Sequence, residues 1–517
     1  MSAADLRVFD CLPGFDWAAL ALELPEAGRW QPVAETGVQR TLLDTHDARL
    51  EAAGWVLEHE VSADTGEVAR LRWRARNWTT EFALEPMPRP PVRPRDLPAA
   101  GWERLAAVLE GRALLPLAAC ACQITALCRA DGQGRVLARL ECVRPQVRLR
   151  GGKTRTLPAW LRLEDHGLKE DARRRLLRLL DRLDTVLPAA QESWNAVRAA
   201  LGQGTGAAPG PLLLAPLERA DASGKRILLR LADTMEANLD GVRRDLDTEF
   251  LHDLRVALRR TRVFLAQVRG LYPPDTVRHF REQFAALARL TAPLRDMDVQ
   301  LAGFETLRAS LPAEQHKVFN AVRTLWQQHR RQSLADVRAW LKSPEARRLF
   351  KSWRVFLNTP LPRRSSLPDA RMPVRLAAGA VLLRLHRKFC DKGSRLRPRS
   401  PAAAWHEQRM RGKKLRYALE FFCSLYLGPQ VPGLIRELQA VQDLLGEHQD
   451  CAVQHAALAL TLHELPRRSP ARAAVRLAQQ QAVARQQALR AQWPERFAAF
   501  LAAVPPEQVE ALFSAPS

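Results

Sequence analysis

The sequence predicts a multidomain chain of two fold classes, an α+β domain built on an antiparallel sheet followed by an all-α domain of duplicated helical bundles. Three observations carry this. Short β-like runs, several separated by Gly- or Pro-containing tracts, fill residues 1–201. A Gly/Pro-dense segment, Gly202 to Pro211, then interrupts the chain. Beyond it, a helical stretch starting at His252 recurs at His406 in unbroken register.

Composition bounds the partners. The chain has 517 residues, 47% of them hydrophobic, and a formal net charge of +23. So basic a protein, with a sequence pI near 10.7, is expected to meet a polyanion. Nucleic acid, an anionic membrane surface and polyphosphate all qualify. Arginine dominates the cations, and its planar fork suits bidentate phosphate contacts. The eight cysteines do not make a disulfide scaffold in a chain of this length. Cys120, Cys122, Cys128 and Cys142 lack paired CxxC spacing and read as small buried hydrophobes, so no metal and no other cofactor is expected. The N-terminus shows no leader, and no apolar run is long enough to span a bilayer. The expectation is a soluble, cytoplasmic protein without membrane insertion.

In the first domain, residues 1–201, β-like runs are expected at Ala18 to Leu24, Arg40 to Leu43, Val56 to Val61, Val68 to Ala75 and Thr79 to Leu84. Pro-rich Glu85 to Pro98 breaks the pattern, and Trp102 to Leu109 reads as helix. Strands return at Cys120 to Ala126, Gly134 to Cys142, Val147 to Arg150 and Ala159 to Leu163. Leu168 to Leu187 is a basic amphipathic helix, and Gln191 to Leu201 a second. Arg70, Arg72, Arg74 and Arg76 alternate along one run, and Arg135, Arg139, Arg148 and Arg150 along another, each either lining an inner face or pointing outward. Glu23, Glu58, Glu60, Glu81 and Glu141 are candidates to cluster.

A linker is placed at 202–217, a first bundle at 218–357, a joining loop at 358–373 and a second bundle at 374–517. Helices are expected from Lys225 to Leu246, through the His252 motif to before Pro273, from Thr276 to Leu290, onward from Pro293, from Gln315 to Leu341 and from Pro344 to Trp353. The second half repeats this with Val374 to Lys392, Trp405 to Leu427, Leu434 to Leu465, Ala471 to Trp493 and a last helix to Phe513.

The duplication carries the functional argument. His252, Arg255, Arg259, Arg260 and Arg262 align with His406, Arg409, Lys413, Lys414 and Arg416 at an offset of 154 residues. The offset also pairs Leu265 with Leu419, Leu271-Tyr272 with Leu425-Tyr426, and Asp296 with Asp450. At about 100° per residue, His252, Arg255, Arg259 and Arg262 share one stripe of a helix. Leu254, Leu258, Thr261, Leu265 and Val268 form the neighbouring apolar seam. His406, Arg409, Lys413 and Arg416 repeat the stripe, flanked by Leu415, Leu419 and Phe422, while Arg260 and Lys414 point elsewhere. Carboxylates are nearly absent from both stripes, which distinguishes them from a solvated face laced with i,i+4 pairs. A structural alternative is that Asp296 satisfies His252 and Arg255, and Asp450 satisfies His406 and Arg409. Arg384, Arg387 and Lys388 are candidates to extend the basic path.

Two family resemblances rest on these residues. The spacing His-x-x-Arg-x-x-x-Arg/Lys-Arg/Lys-x-Arg, followed by Arg295 to Val299 or Gly446 to Asp450, resembles the CHAD family, conserved histidine α-helical domains, over roughly residues 220–500. That resemblance implies two four-helix bundles about a pseudo-twofold, with a basic channel between them that binds inorganic polyphosphate and a possible place at polyphosphate granules. Thr41 to Gly54, with Asp44-Thr45, resembles a strand, turn and short helix of the CYTH family, a triphosphate tunnel fold. That family's Glu-x-Glu-x-Lys signature is absent from Leu22 to Glu26, and Glu58 and Glu60 stand where inward arginines are expected. Acids there repel triphosphate, so the expectation is a degenerate, non-hydrolytic domain with no catalytic residues.

Polyphosphate is therefore the expected partner, bound by His252, Arg255, Arg259, Arg260, Arg262, Arg384, Lys388, His406, Arg409, Lys413, Lys414 and Arg416. Nucleic acid is the second candidate. Aromatics make up only 6% of the chain and do not alternate with the cations as single-strand binders require. A metal-dependent triphosphatase is the third. A metal held by His252 and His406 is disfavoured by the flanking arginines.

Overall fold

In a computed structural model the chain divides into two compact units, Met1–Gly210 and Pro211–Ser517. The structure describes residues 5–25, 29–62, 69–75, 78–84, 91–92, 96, 103–149, 152–189, 194–202, 212–426 and 428–514.

The first unit contains β1 (Asp5–Cys11), α1 (Trp17–Glu23), β2 (Trp30–Asp44), α2 (Arg49–Ala52), β3 (Val56–Ser62), β4 (Ala69–Ala75), β5 (Trp78–Leu84) and α3 (Glu103–Leu109). It continues with β6 (Leu115–Ala130), β7 (Val136–Arg148), β8 (Thr154–Thr156), β9 (Trp160–Asp165), α4 (Glu170–Arg182), β10 (Val186–Ala189) and α5 (Trp194–Ala200). The strands form one antiparallel sheet in the order β10-β1-β9-β7-β6-β2-β3-β4-β5, with β8 on β7. The sheet curls until Cα atoms of β5 come within 8 Å of β1.

In the second unit, the helix expected from Ala471 to Trp493 runs on through Pro494 to Ala503. Three expectations for the first unit also need correction. Ala18 to Leu24 is mostly helix, because Asp16 caps it by accepting from the Ala18 and Ala19 amides at 2.8 and 3.3 Å. The helix expected to reach Leu187 stops at Arg182, and Val186–Ala189 pairs with β1 instead. The two strands expected on either side of Val143 to Gln146 are one strand, β7, which runs through Pro145.

Alternation along the strands builds two faces. Phe9, Leu127, Leu140, Leu161 and Leu163 pack under α1 and α4, and Leu43 and Leu57 pack under α2 and α3. The opposite face carries Val38, Leu42, Cys120, Cys122, Val143 and Trp160, and α5 seals it with Trp194 and Val197.

The second unit is helical throughout: α6 (Ala220–Arg244), α7 (Thr248–Gln267), α8 (Pro274–Leu290), α9 (Ala292–Ala302), α10 (Phe304–Ala309), α11 (Ala313–Lys342) and α12 (Pro344–Asn358). Its second half holds α13 (Val374–Gly393), α14 (Ala402–Phe422), α15 (Gln430–Glu464), α16 (Ala471–Ala503) and α17 (Pro506–Ser514). Pro273 and Pro344 stand at helix starts, and Ser343 caps α12 through the Ala346 amide at 3.2 Å. Gly241 lets α7 approach α6: a Cβ there would lie 2.1 Å from the Phe250 ring.

The halves share a core. Phe304, Phe319 and Trp326 of the first pack with Leu458, Ala474 and Ala478 of the second, and the Trp326 indole donates to Thr461 Oγ1 at 2.8 Å. This joins the middle of α11 to the C-terminal end of α15, so the two halves are tied together there. None of the helices is long and apolar enough to cross a membrane, among the described residues.

Candidate functional site

The motif helices α7 and α14 bury the seams their periodicity predicts. Leu254, Leu258, Thr261, Leu265, Leu415 and Leu419 are buried, which fixes the rotation of each helix and turns its cations toward the other half. The helices meet at Phe264, whose ring stands edge-on to Phe421 at 5.4 Å. Beside that contact the two basic rows converge.

Arg259 of the first row is the hinge of this electrostatic arrangement. Burial first, then Arg259, Arg409 and Arg416, push the Lys413 ammonium down to about 7, with only Asp450 opposing. Arg409 is lowered by burial and by Arg259, against Asp450. Arg255 is pushed down to about 10 by burial and by Arg259, Arg295 and Arg262, against Asp296. Cations from the two halves thus raise each other's cost of charging, which happens only where they share space.

The groove widens toward α8. A cavity of about 460 Å³ is lined by Arg259, Arg262, Arg278, Arg281 and Lys414, with Glu282 the single acid on its wall. Arg281 depresses both Arg262 and Lys414, which ties the first and second motifs to one wall. Lys388 of α13 also acts on Lys414 and continues the basic track. Among the described residues no carboxylate stands in salt-bridge contact with Arg259, Arg262, Lys413 or Lys414.

Other expected site residues have different surroundings. Arg260 is held by the Glu420 carboxylate and lies over the rings of Tyr417 at 5.5 Å and Phe421 at 5.6 Å. Glu420 also lies 3.2 Å from Arg416. Arg260 and Arg416 are therefore interface cations shared by one acid. Arg255 spends part of its fork on Ala288 O and Thr291 Oγ1, both at 2.8 Å. Arg384 donates to Gln267 O at 2.9 Å and lines a separate apolar cavity.

The two histidines are not equivalent. His252 is half-buried, and burial first and then Arg295 lower it from its ordinary value, which favours the neutral ring. His406 is exposed and its Nδ1 meets Gln449 Oε1 at 3.0 Å. Asp296 and Asp450 act on Arg255 and on Arg409 with Lys413 as distant charges; burial raises both acids, so they temper the rows without neutralising them. Sequence reasoning missed Arg281, Arg289 and Arg278, which lie on α8, outside the repeated motif. The i,i+3 and i,i+4 spacing of Arg278, Arg281, Arg289 and their apolar partners Phe280, Phe284 and Leu287 was the available signal.

Among its described residues, the sheet unit offers no comparable surplus. Arg40 bonds Glu60 at 2.8 Å, Arg139 bonds Glu141 at 2.7 Å, and Arg162 reaches Glu141 and Glu164 at 3.2 Å each. The Trp194 indole donates to Glu58 Oε1 at 2.7 Å, which places α5 directly on the acids. Glu23 is the last residue of α1. Arg135 pairs with Asp131 in a turn, and Arg148 is exposed. The side chains of Arg70, Arg72, Arg74, Arg76 and Glu81, and Arg150, lie outside the described residues. The Asp44-Thr45 turn is structural: Asp44 accepts from the amides of Thr45, Leu50 and Glu51 at 2.6 to 3.0 Å and starts α2. Cys120 and Cys122 touch at 3.6 Å while Cys142 packs on the opposite face, and no group suited to a metal occurs among the described residues.

Paired helical motifs facing each other across a groove with a surplus of cations define the class of the second unit. Residues 226–459 match the family model of the CHAD domain, and this part of the chain is a CHAD domain. Among solved structures, the chain is similar to the CHAD domain from the plant Ricinus communis, with 25% identity over 56% of this chain and 93% of that one, at a TM-score of 0.47. It is also similar to PptA from Streptomyces chartreusis, with 18% identity over 55% and 99% of the two chains and a TM-score of 0.41. A Hippeastrum protein, HpAC1, whose description gives a dominant triphosphatase activity, covers 39% of this chain and 97% of its own, with 12% identity and a TM-score of 0.27. No curated protein matches the chain.

Proposed function

We propose that the helical unit binds inorganic polyphosphate in the groove between α7, α8 and α14, and that the sheet unit does not hydrolyse triphosphate. The observation that carries the first part is that Arg259 and Arg262 of one motif and Lys414 of the other line one cavity, with Arg259 acting on Arg409 and Lys413 of the other half. An unbranched phosphate polymer supplies a dense row of anionic oxygens without demanding base recognition. The groove supplies mostly arginine forks and no stacking platform on its wall. Arg259, Arg262, Arg281, Lys413 and Lys414 make the first contacts, with Arg255 and Arg409 behind them and Lys388 extending the track. Arg260 and Arg416 serve mainly to fix the helices.

The test is retention of long-chain polyphosphate by the full chain. Replacing Arg259, Arg262, Lys413 and Lys414 together by Ala should abolish it with the fold intact by circular dichroism. Unchanged retention rejects the groove. Competition separates the nucleic-acid reading: polyphosphate should displace single-stranded DNA at equal phosphate, and DNA should not displace polyphosphate. For the sheet unit, paired arginines and the Trp194 contact support a non-hydrolytic reading. Incubation with tripolyphosphate and magnesium or manganese should release no phosphate, and rapid saturable release would overturn it.

A further inference from the structure

A second cavity in the helical unit, about 220 Å³, lies where the end of α7, the start of α6 and α13 meet. Its walls are apolar: Phe264, Val374, Val381 and Phe422 line it and are buried. Its polar groups are Gln267, Arg269, Asp369 and Arg384. Arg269 and Arg384 both line the cavity from its exposed side, and Arg384 is lowered by burial and then by Arg269. One Arg384 nitrogen is used on Gln267 O, and among the described residues neither arginine has a carboxylate in salt-bridge contact. The result is an apolar chamber with two cations and one acid.

We propose that this cavity binds a small amphipathic anion, a carboxylate with an aliphatic body, whose head is held by Arg269 and Arg384 and whose chain fills the space between Phe264 and Phe422. A polyphosphate chain does not suit it, since its walls cannot solvate successive phosphates. A neutral hydrocarbon leaves two guanidiniums facing a single carboxylate, Asp369, and so one cation in surplus. A fatty carboxylate satisfies both demands, because its head makes charge-assisted hydrogen bonds and each buried methylene leaves water. The site is independent of the polyphosphate groove, so either reading can fail alone.

The test uses the full chain and calorimetry with hexanoate, octanoate and decanoate, 1-decanol and inorganic phosphate. Decanoate should bind saturably at one site, and each methylene removed should weaken binding about fourfold. Ala380 is exposed at the cavity rim, so A380F blocks entry without disturbing the core. A380F and R269A should each weaken decanoate about tenfold, equivalent to about 1.4 kcal/mol, while polyphosphate retention stays unchanged. No saturable decanoate binding overturns the proposal. So does decanol binding as tightly as decanoate, inorganic phosphate competing with decanoate, or A380F binding like the unaltered chain.

Discussion

Arg260 closes on Glu420 across the two motif helices, and the equivalent pair on the other side of the duplication is Lys414 and Ala266. The carboxylate present once is absent once. Arg260 is therefore neutralised at the helix crossing, while Lys414 and Ala266 both line the open cavity. One difference between the repeats converts a symmetric set of cations into an interface clamp and an exposed binding wall.

Placing the missing acid should close that wall. Ala266→Glu sets a carboxylate beside Lys414 and should weaken polyphosphate about tenfold, roughly 1.4 kcal/mol. Glu420→Gln should do the reverse: it frees Arg260 and Arg416, tightens polyphosphate and lowers the melting temperature of the free protein. Titration by calorimetry and a melt of each variant check both directions.

Salt should count the contacts. If phosphate oxygens displace counterions, the logarithm of affinity falls linearly with the logarithm of salt, by roughly 0.7 per contact for a single-stranded polyanion. Arg259→Ala should reduce that slope by about one contact's worth, and Arg260→Ala should leave it nearly unchanged because Glu420 already neutralises it. Equal slopes for the two variants would contradict the division of roles.

The pH dependence of binding follows from Lys413. Its ammonium is pushed down to about 7 in the empty groove by burial and by Arg259, Arg409 and Arg416, with Asp450 opposing. A bound polyanion favours the charged form, so binding takes up a proton above that value. Affinity should rise as pH falls from about 9 to 7 and level off below, and Lys413→Ala should flatten the profile. Buffer-dependent calorimetric heats at pH 8 measure the proton directly.

Acid should loosen the second half from a different place. His448 stacks on Trp405 at 4.7 Å and accepts from Arg490 at 3.0 Å, and burial pushes it down to about 4. Its folded value lies below its unfolded one, so the stability it contributes is present above about pH 6.5 and lost as pH falls toward 4. Denaturant midpoints between pH 7 and 4 should drop less in His448→Gln than in the unaltered chain.

The sheet unit should depend on α5. Trp194→Ala removes a buried indole and leaves Glu58 without that donor, at a cost of about 3–5 kcal/mol. Limited proteolysis should then cleave the sheet unit first, and polyphosphate retention by the helical unit should persist.

Much of this architecture was legible in residue order. Helix periods and prolines placed α6 to α9 and α11 to α15 within a few residues, because local caps and buried seams set them, but the end expected at Trp493 fell well short, since α16 continues through Pro494 to Ala503. The short α10 and the strands β1, β8 and β10 were not readable, since tertiary partners define them and not a strong local pattern. On the site, the register of the duplication set Arg259, Arg262 and Lys413 on stripes beside a seam, but helical angles turned Lys414 away together with Arg260. The structure instead puts Lys414 on one cavity wall with Arg259 and Arg262, and nothing in the repeat pointed to Arg281 on that wall.

Sequence alone determined that two helices carry cationic stripes beside apolar seams, because both features are set by spacing along one helix. Only the tertiary structure decided which cations remain available. Arg260 meets Glu420 from 160 residues away, and Trp194 reaches Glu58 from 136 residues away. Charge neutralisation depends on distances of a few ångströms across the fold, and no periodicity within a segment encodes those.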